Sequence, residues 1–210
     1  MSQVVVVDYG LGNILSVTRA LTVNGADVEL SSDPQRISQS ERIVIPGVGA
    51  FADGMKGLQE RGLVEPLREY AKSGRPMLGI CLGMQLLFAT AKEFGEHKGL
   101  GIVPGRVVPI PDTGPDGSPH KIPHVGWNSL ETFHDRSALL EGLGKRPYFY
   151  FVHSFSAIPE SESTCVASTT YNGQKITAVV QKDRVYGCQF HPEKSGTVGL
   201  GFLQNFLERA

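Results

Sequence analysis

The feature that most constrains the fold is Val4 to Val7, four consecutive β-branched residues that end at Asp8 and a Gly-rich turn. A strand without polar alternation offers no face to water, so it belongs in a parallel sheet covered by helices on both sides. The next residues fit that placement. Asn13 stands where a helix N-cap would, Ile14, Val17 and Leu21 recur at helical spacing, Gly25 supplies a stop, and Asp27 to Ser31 reads as a second strand. A third strand is expected at Arg42 to Ile45, closed by Pro46, and helices at Met55 to Arg61 and Leu63 to Lys72, broken at Gly62. Met77 to Ile80 gives a fourth strand, which leads through Cys81 into a helix expected from Met84 to Ala91.

The second half changes rhythm. Strand-like runs occur at Arg106 to Ile110, Val125 to Leu130, Tyr148 to Val152, Thr164 to Thr170, Ile176 to Gln181 and Val185 to Phe190, with Asn172-Gly173 as a hairpin turn. A helix from Val198 to Glu208 closes the chain. The expected architecture is a three-layer α/β sandwich with a central, mostly parallel sheet and antiparallel additions, in one domain over residues 1–210. Pro109 to Pro119, rich in Pro, Gly and Asp, is expected to be an exposed hairpin loop, because strands flank it on both sides.

Composition excludes several roles. With 20% charged residues and a net charge of -1, the chain has no electrostatic basis for binding nucleic acid or an acidic membrane surface. No segment approaches ~18 uninterrupted apolar residues, and Met1 to Asn13 lacks the basic flank and apolar length of a signal peptide, so a cytoplasmic location is expected. The three cysteines, Cys81, Cys165 and Cys188, are odd in number and widely spaced, which argues against both a disulfide framework and a structural metal site. Neither a metal nor a cofactor is expected. Cys188 and His191, three apart, lack further ligands, and Cys165 reads as a strand core residue.

The strongest chemical signal is Gly79-Ile80-Cys81-Leu82-Gly83, a G-x-C-x-G pattern at a strand-to-helix junction. It has the form of a nucleophile elbow with cysteine as the nucleophile, in which glycines permit a turn that projects the side chain from the sheet's C-terminal edge. The positive end of the following helix favours a thiolate there, and the Leu82 N–H is free to receive an oxyanion. A base is needed, and six histidines are available: His97, His120, His124, His134, His153 and His191. His191 follows a strand and precedes the stiffening Pro192; Glu193, two residues on, points the same way and can orient the imidazole. His153 also ends an apolar strand and is the competing base.

These residues resemble a known family. G-I-C-L-G-M-Q with a later H-P-E resembles the class I glutamine amidotransferases. P-G-V-G at Pro46 to Gly49, D-Y-G-L-G-N-I at Asp8 to Ile14, H-V-G-W-N at His124 to Asn128, Y-F-V-H-S-F at Tyr150 to Phe155 and Q-F-H-P-E-K-S at Gln189 to Ser195 look, more narrowly, like the glutaminase subunits of imidazole glycerol phosphate synthases. The resemblance spans nearly the whole chain. P-G-V-G discriminates most, because the elbow and H-P-E are common to the class.

The resemblance implies that Cys81 attacks the carboxamide of glutamine, that His191 moves the proton to departing ammonia, and that Glu193 holds His191. It places the backbone N–H groups of Val48 and Leu82 at the oxyanion, and Gly49, Gln85, Glu93, His153, Ser154 and Phe155 around the substrate. Phe155 stands where tyrosine is more usual, which removes a hydroxyl. Asn13, Trp127 and Lys194 match positions facing a cyclase subunit, with which a heterodimer would form and to which ammonia would pass in histidine biosynthesis. The glycines around Val48 suggest that the Gly47-Val48 peptide rotates to present or withdraw its N–H. Other class I amidotransferases, γ-glutamyl hydrolases and a non-catalytic module on the same fold are the alternatives. All three triad residue types are present, which favours catalysis, and the secreted habit of γ-glutamyl hydrolases disfavours that reading.

Overall fold

The computed structural model describes residues 2–119, 121–132 and 137–210. His120 and His134 lie outside them. The first half alternates strands and helices: β1 (Gln3–Val7), α1 (Ile14–Val23), β2 (Asp27–Ser31), α2 (Pro34–Gln39), β3 (Ile43–Ile45), α3 (Phe51–Glu60), α4 (Val64–Lys72), β4 (Met77–Ile80) and α5 (Leu82–Leu86). β-rich chain follows, with β5 (Phe88–Lys92), β6 (Glu96–Lys98), β7 (Val103–Pro109), β8 (His124–Ser129), β9 (Glu131–Thr132), β10 (Tyr148–His153), β11 (Phe155–Pro159), β12 (Cys165–Tyr171), β13 (Gln174–Lys182) and β14 (Val185–Cys188). A 3₁₀ turn, Pro192–Lys194, leads into the last helix, α6 (Gly196–Arg209).

The central sheet has the order β2-β1-β3-β4-β14-β13-β12-β9. Its first five strands are parallel and the rest antiparallel, as the mixed rhythm of the sequence predicts. Two smaller sheets, β11-β7-β5-β6 and β10-β8, complete the structure.

Strand β1 explains the layering. Val4 and Val6 pack into one buried cluster with α1, α6 and Phe149 and Phe151 of β10, whereas Val5 and Val7 enter a second with α2, α3 and α4. The strand therefore removes apolar surface from water on both faces, at about 25 cal/mol per Å². The Asn172-Gly173 turn also forms as expected. Tyr171 pairs with Gln174 across it, and both turn residues have positive φ, 46° and 77°, the handedness that matches a two-residue hairpin.

Three expectations change. The helix read from Met84 to Ala91 ends at Leu86, and Phe88–Lys92 becomes β5, pairing with β6 and β7. Local helix propensity in this Leu- and Ala-containing run yields to sheet pairing, a long-range interaction that no local window contains. Residues 111–119 form an exposed loop except for the half-buried Gly114, but it does not join paired strands: β7 pairs with β5 and β11, and β8 with β10. A bridge between Thr113 and Pro119 and a hydrogen bond from the Gly114 N–H to the Ser118 carbonyl at 2.7 Å close it on itself. Asn13 occupies the α1 N-cap position, yet its side chain makes no capping bond and reaches elsewhere.

Candidate active site

Register places the site. β4 and β14 are parallel neighbours with Ile80 opposite Cys188, so Cys81 and Gln189 follow at the same sheet edge, and His191 comes two residues later. Open parallel sheets hold their reactive groups at this C-terminal edge. The Cys81 N–H donates to the Cys188 carbonyl at 2.7 Å, which ties the elbow to the histidine-bearing strand.

Cys81 has φ 52° and ψ −108°, a conformation costly for a residue with a Cβ and the mark of a sharp strand-to-helix turn. Gly83 makes that turn possible: a Cβ on it would lie 1.9 Å from the Ile45 carbonyl oxygen. The helix that follows has only five residues, so its dipole lends Cys81 less than the expected longer helix would. Leu82 is its first residue, and its N–H has no acceptor four residues back within the helix.

The His191 Nδ1 donates to Glu193 Oε1 at 2.8 Å, with both side chains buried. His191 Nε2 makes no hydrogen bond of regular geometry, while its ring interacts with Cys81 by charge. Burial is the largest influence on His191 and acts to lower its proton affinity. Hydrogen bonding and charge from Cys81 and Glu193 outweigh burial and carry the imidazole up to about 10. The His191 ring that holds its proton in this way faces Cys81.

His153 behaves in the opposite way. Its Nδ1 must donate to the Phe155 carbonyl, 2.8 Å away, and its Nε2 lies 2.9 Å from His124 Nδ1. Both nitrogens are occupied, and burial pushes its pKa down to about 3. It has neither a free lone pair nor a carboxylate partner with which to serve as base.

The other expected residues fall around this pair. Pro46-Gly47 runs against the elbow: a Cβ on Gly47 would lie 2.7 Å from Leu82 Cβ, 2.8 Å from the Gly83 nitrogen and 2.5 Å from Tyr9 Oη. Gly47 is thus required by space, with no left-handed φ, whereas Gly49 has φ 108°. The Tyr9 hydroxyl donates to the Pro46 carbonyl at 2.5 Å. Val48 is 39% exposed.

Gln85 is buried and donates to the Phe155 carbonyl at 3.2 Å and to Gln189 Oε1 at 3.0 Å. The Ser154 carbonyl accepts from Ile110. Glu93 follows β5 and is not on a helix; its Oε2 accepts the Phe51 N–H at the start of α3. Asn13 Nδ2 donates to Glu193 Oε1 at 3.2 Å, so it touches the candidate triad directly. Trp127, 55% exposed, is not a core anchor, and Lys194 is exposed as well.

Cys165 is half-buried at the start of β12, and Cys188 is sealed in the interior, where burial drives its thiol well above the ordinary range. Among the described residues no three His, Cys, Asp or Glu side chains gather as metal ligands. Sequence reasoning missed three residues as individuals. Gln189 was legible only as a letter within a motif, His124 was named as an available histidine but given no role beside His153, and Ser195 bridges the Tyr150 N–H and the His191 carbonyl to pin the turn carrying Glu193.

A parallel-sheet edge bearing a strained cysteine beside a buried His-Glu pair defines an α/β enzyme of the nucleophile-elbow kind. The family model described as glutamine amidotransferase class-I matches residues 5–210, and the chain belongs to that family. Among its relatives, "Imidazole glycerol phosphate synthase subunit HisH 1" of Legionella pneumophila (strain Lens) is 49% identical, the match covering 99% of this chain and 100% of that protein. The HisH subunit of Geobacillus thermodenitrificans is 44% identical over 99% of this chain and 96% of its own length. The fold is shared with PurLQS from Thermotoga maritima, with a TM-score of 0.76 at 18% identity over 98% of this chain and 97% of that one. A putative GMP synthase subunit from Thermoplasma acidophilum gives 0.70 at 21% identity over 99% and 92%.

Proposed function

We propose that this chain is the glutaminase subunit of an imidazole glycerol phosphate synthase, acting through residues 1–210 as one glutamine amidotransferase domain in the cytoplasm. The observation that carries the mechanism is the convergence of Cys81 with the hydrogen-bonded His191 and Glu193 at the ends of two adjacent strands. The Cys81 sulfur attacks the carboxamide carbon of glutamine, and the C=O electrons move onto oxygen, where the N–H groups of Leu82 and Val48 receive the charge. As the tetrahedral intermediate collapses, the C–N bond breaks and His191 gives its proton to the departing ammonia. A thioester remains.

His191, now neutral, takes a proton from water as the hydroxide oxygen bonds to the thioester carbon. The C–S bond then breaks, releasing glutamate and restoring the thiolate and imidazolium. Glu193 holds the ring and balances its charge throughout. Gly49, Gln85 and the Ser154–Phe155 strand form the substrate wall, on which Gln85 Oε1 is the amide atom not spent on the two donor contacts. Glu93 supports that wall through the start of α3. No step requires a metal or cofactor. Ammonia passes to a cyclase subunit in a heterodimer docked near Trp127 and Lys194, whose exposed side chains suit an interface.

The test is Cys81→Ala in the assembled two-subunit enzyme. Glutamine-dependent synthesis should vanish while synthesis from added ammonia persists. Failure of ammonia to rescue a correctly assembled complex rejects the division of labour.

A further inference from the structure

We infer that Gln189 is a further catalytic residue, whose side-chain amide donates a hydrogen bond to the Cys81 sulfur and favours the reactive thiolate; the inference rests on Cys81 being the nucleophile.

The amide lies 3.6 Å from the sulfur through Nε2, an ordinary separation for an acceptor of sulfur's size, and Gln189 is fully buried. The amide's orientation can be checked from its neighbours, because its two ends are otherwise easily confused. The Phe155 carbonyl can only accept, so the group that Gln85 turns toward it must be the NH₂. The second N–H of that NH₂ is aimed at Gln189 at 3.0 Å, which fixes the accepting end of Gln189 there and leaves its donors for Cys81. The orientation is thus passed from an unambiguous carbonyl, through two buried amides, to the sulfur. His153 donates to the same Phe155 carbonyl and holds it in place.

Position supports the assignment. Gln189 is the residue facing the elbow immediately beyond the Ile80–Cys188 pairing, and its N–H is fixed by the Ala178 carbonyl at 2.9 Å. Groups that interact with Cys81 by charge include His191, Tyr9 and Cys188, and Glu193 stands behind His191. Of these, protonated His191 supports a thiolate, but it must surrender its proton during turnover. Gln189 does not titrate, so its donor stays beside the sulfur throughout the cycle, whichever protonation state the imidazole is in. The Val152 carbonyl, 3.9 Å from the sulfur, can accept from the thiol but offers nothing to the thiolate. A hydrogen bond made to the charged form of a group favours that form.

Gln189→Met keeps the volume and removes the donors. In this variant, alkylation of Cys81 by iodoacetamide at neutral pH should slow about tenfold, and its rate–pH profile should move about one unit higher, as expected on losing a bond to a charged group. The glutaminase kcat/KM of the assembled enzyme should fall by a similar factor. A folded Gln189→Met protein whose alkylation profile superimposes on that of the parent overturns the proposal.

If the variant does not fold, isotope-labelled parent protein decides the matter. The Gln189 side-chain NH₂ resonances should move with the midpoint of the thiolate's ultraviolet absorbance, and resonances that stay fixed through that midpoint count against the bond. Failure of the nucleophile reading would look different: the parent protein itself would then show no preference for labelling Cys81 over Cys165 and Cys188.

Discussion

Two buried histidines stand at the ends of neighbouring segments of this molecule, and their environments make them chemical opposites. His191, after β14, holds its proton up to about 10, while His153, at the end of β10, releases its proton near 3. Burial opposes the charge on both. What differs is the company: His191 has Glu193 on one nitrogen and Cys81 facing the other, whereas His153 has a carbonyl and a second imidazole. Burial alone therefore does not identify a catalytic histidine. A compensating carboxylate, together with a nitrogen not committed to the scaffold, separates the two.

The largest expected effect tests that difference directly. His191→Asn should lower kcat by ~10²–10⁴-fold, as removal of a general acid–base group typically does, and His153→Asn should cost far less. Steady-state kinetics of the two variants in the assembled enzyme gives the ranking, and its reversal would transfer the role to His153. Glu193→Gln should fall between them, because an amide oxygen still accepts from Nδ1 but no longer balances the imidazolium.

Stability against pH sharpens the contrast. A folded-state affinity raised above the ordinary 6.5 stabilises the protein below that pH, and His191's contribution is lost as pH rises toward about 10. For His153 the sign reverses: its contribution is present above 6.5 and disappears as pH falls toward about 3. Thermal melting across this range should show His191→Asn flattening the alkaline limb and His153→Asn the acid limb. Equal effects of both variants on both limbs would break the comparison.

The smallest effect is expected at Asn13. Its hydrogen bond to Glu193 Oε1 is one of two on that oxygen, so Asn13→Ala should lower kcat only severalfold, roughly the ~1.5–3 kcal/mol upper range of a bond to a charged group reduced by the bond that remains. Titration with the partner subunit separates the causes. A glutamine-dependent loss that persists at saturating partner assigns the effect to the triad, and a loss that excess partner restores assigns it to docking.

Much of this was legible in the chain itself. The apolar run Val4 to Val7 determined a strand buried on both faces, Asn172-Gly173 determined a hairpin, and the spacing of Gly79, Cys81 and Gly83 determined an elbow, because each depends on sterics or hydration within a few residues. The pairing of Cys81 with His191 was a plausible match between distant segments. Only the parallel register of β4 with β14 brought the two strand ends together. Pairing across the sheet likewise turned residues 88–92 from an expected helix into β5, and close packing leaves no room for a Cβ at Gly47. The opposite surroundings of His191 and His153, the rerouting of Asn13 from its helix to Glu193, and the amide that Gln189 turns toward sulfur were decided by tertiary structure alone. Hydrogen-bond partners, desolvation and nearby charge are properties of what the fold places beside a residue, and local sequence does not contain them.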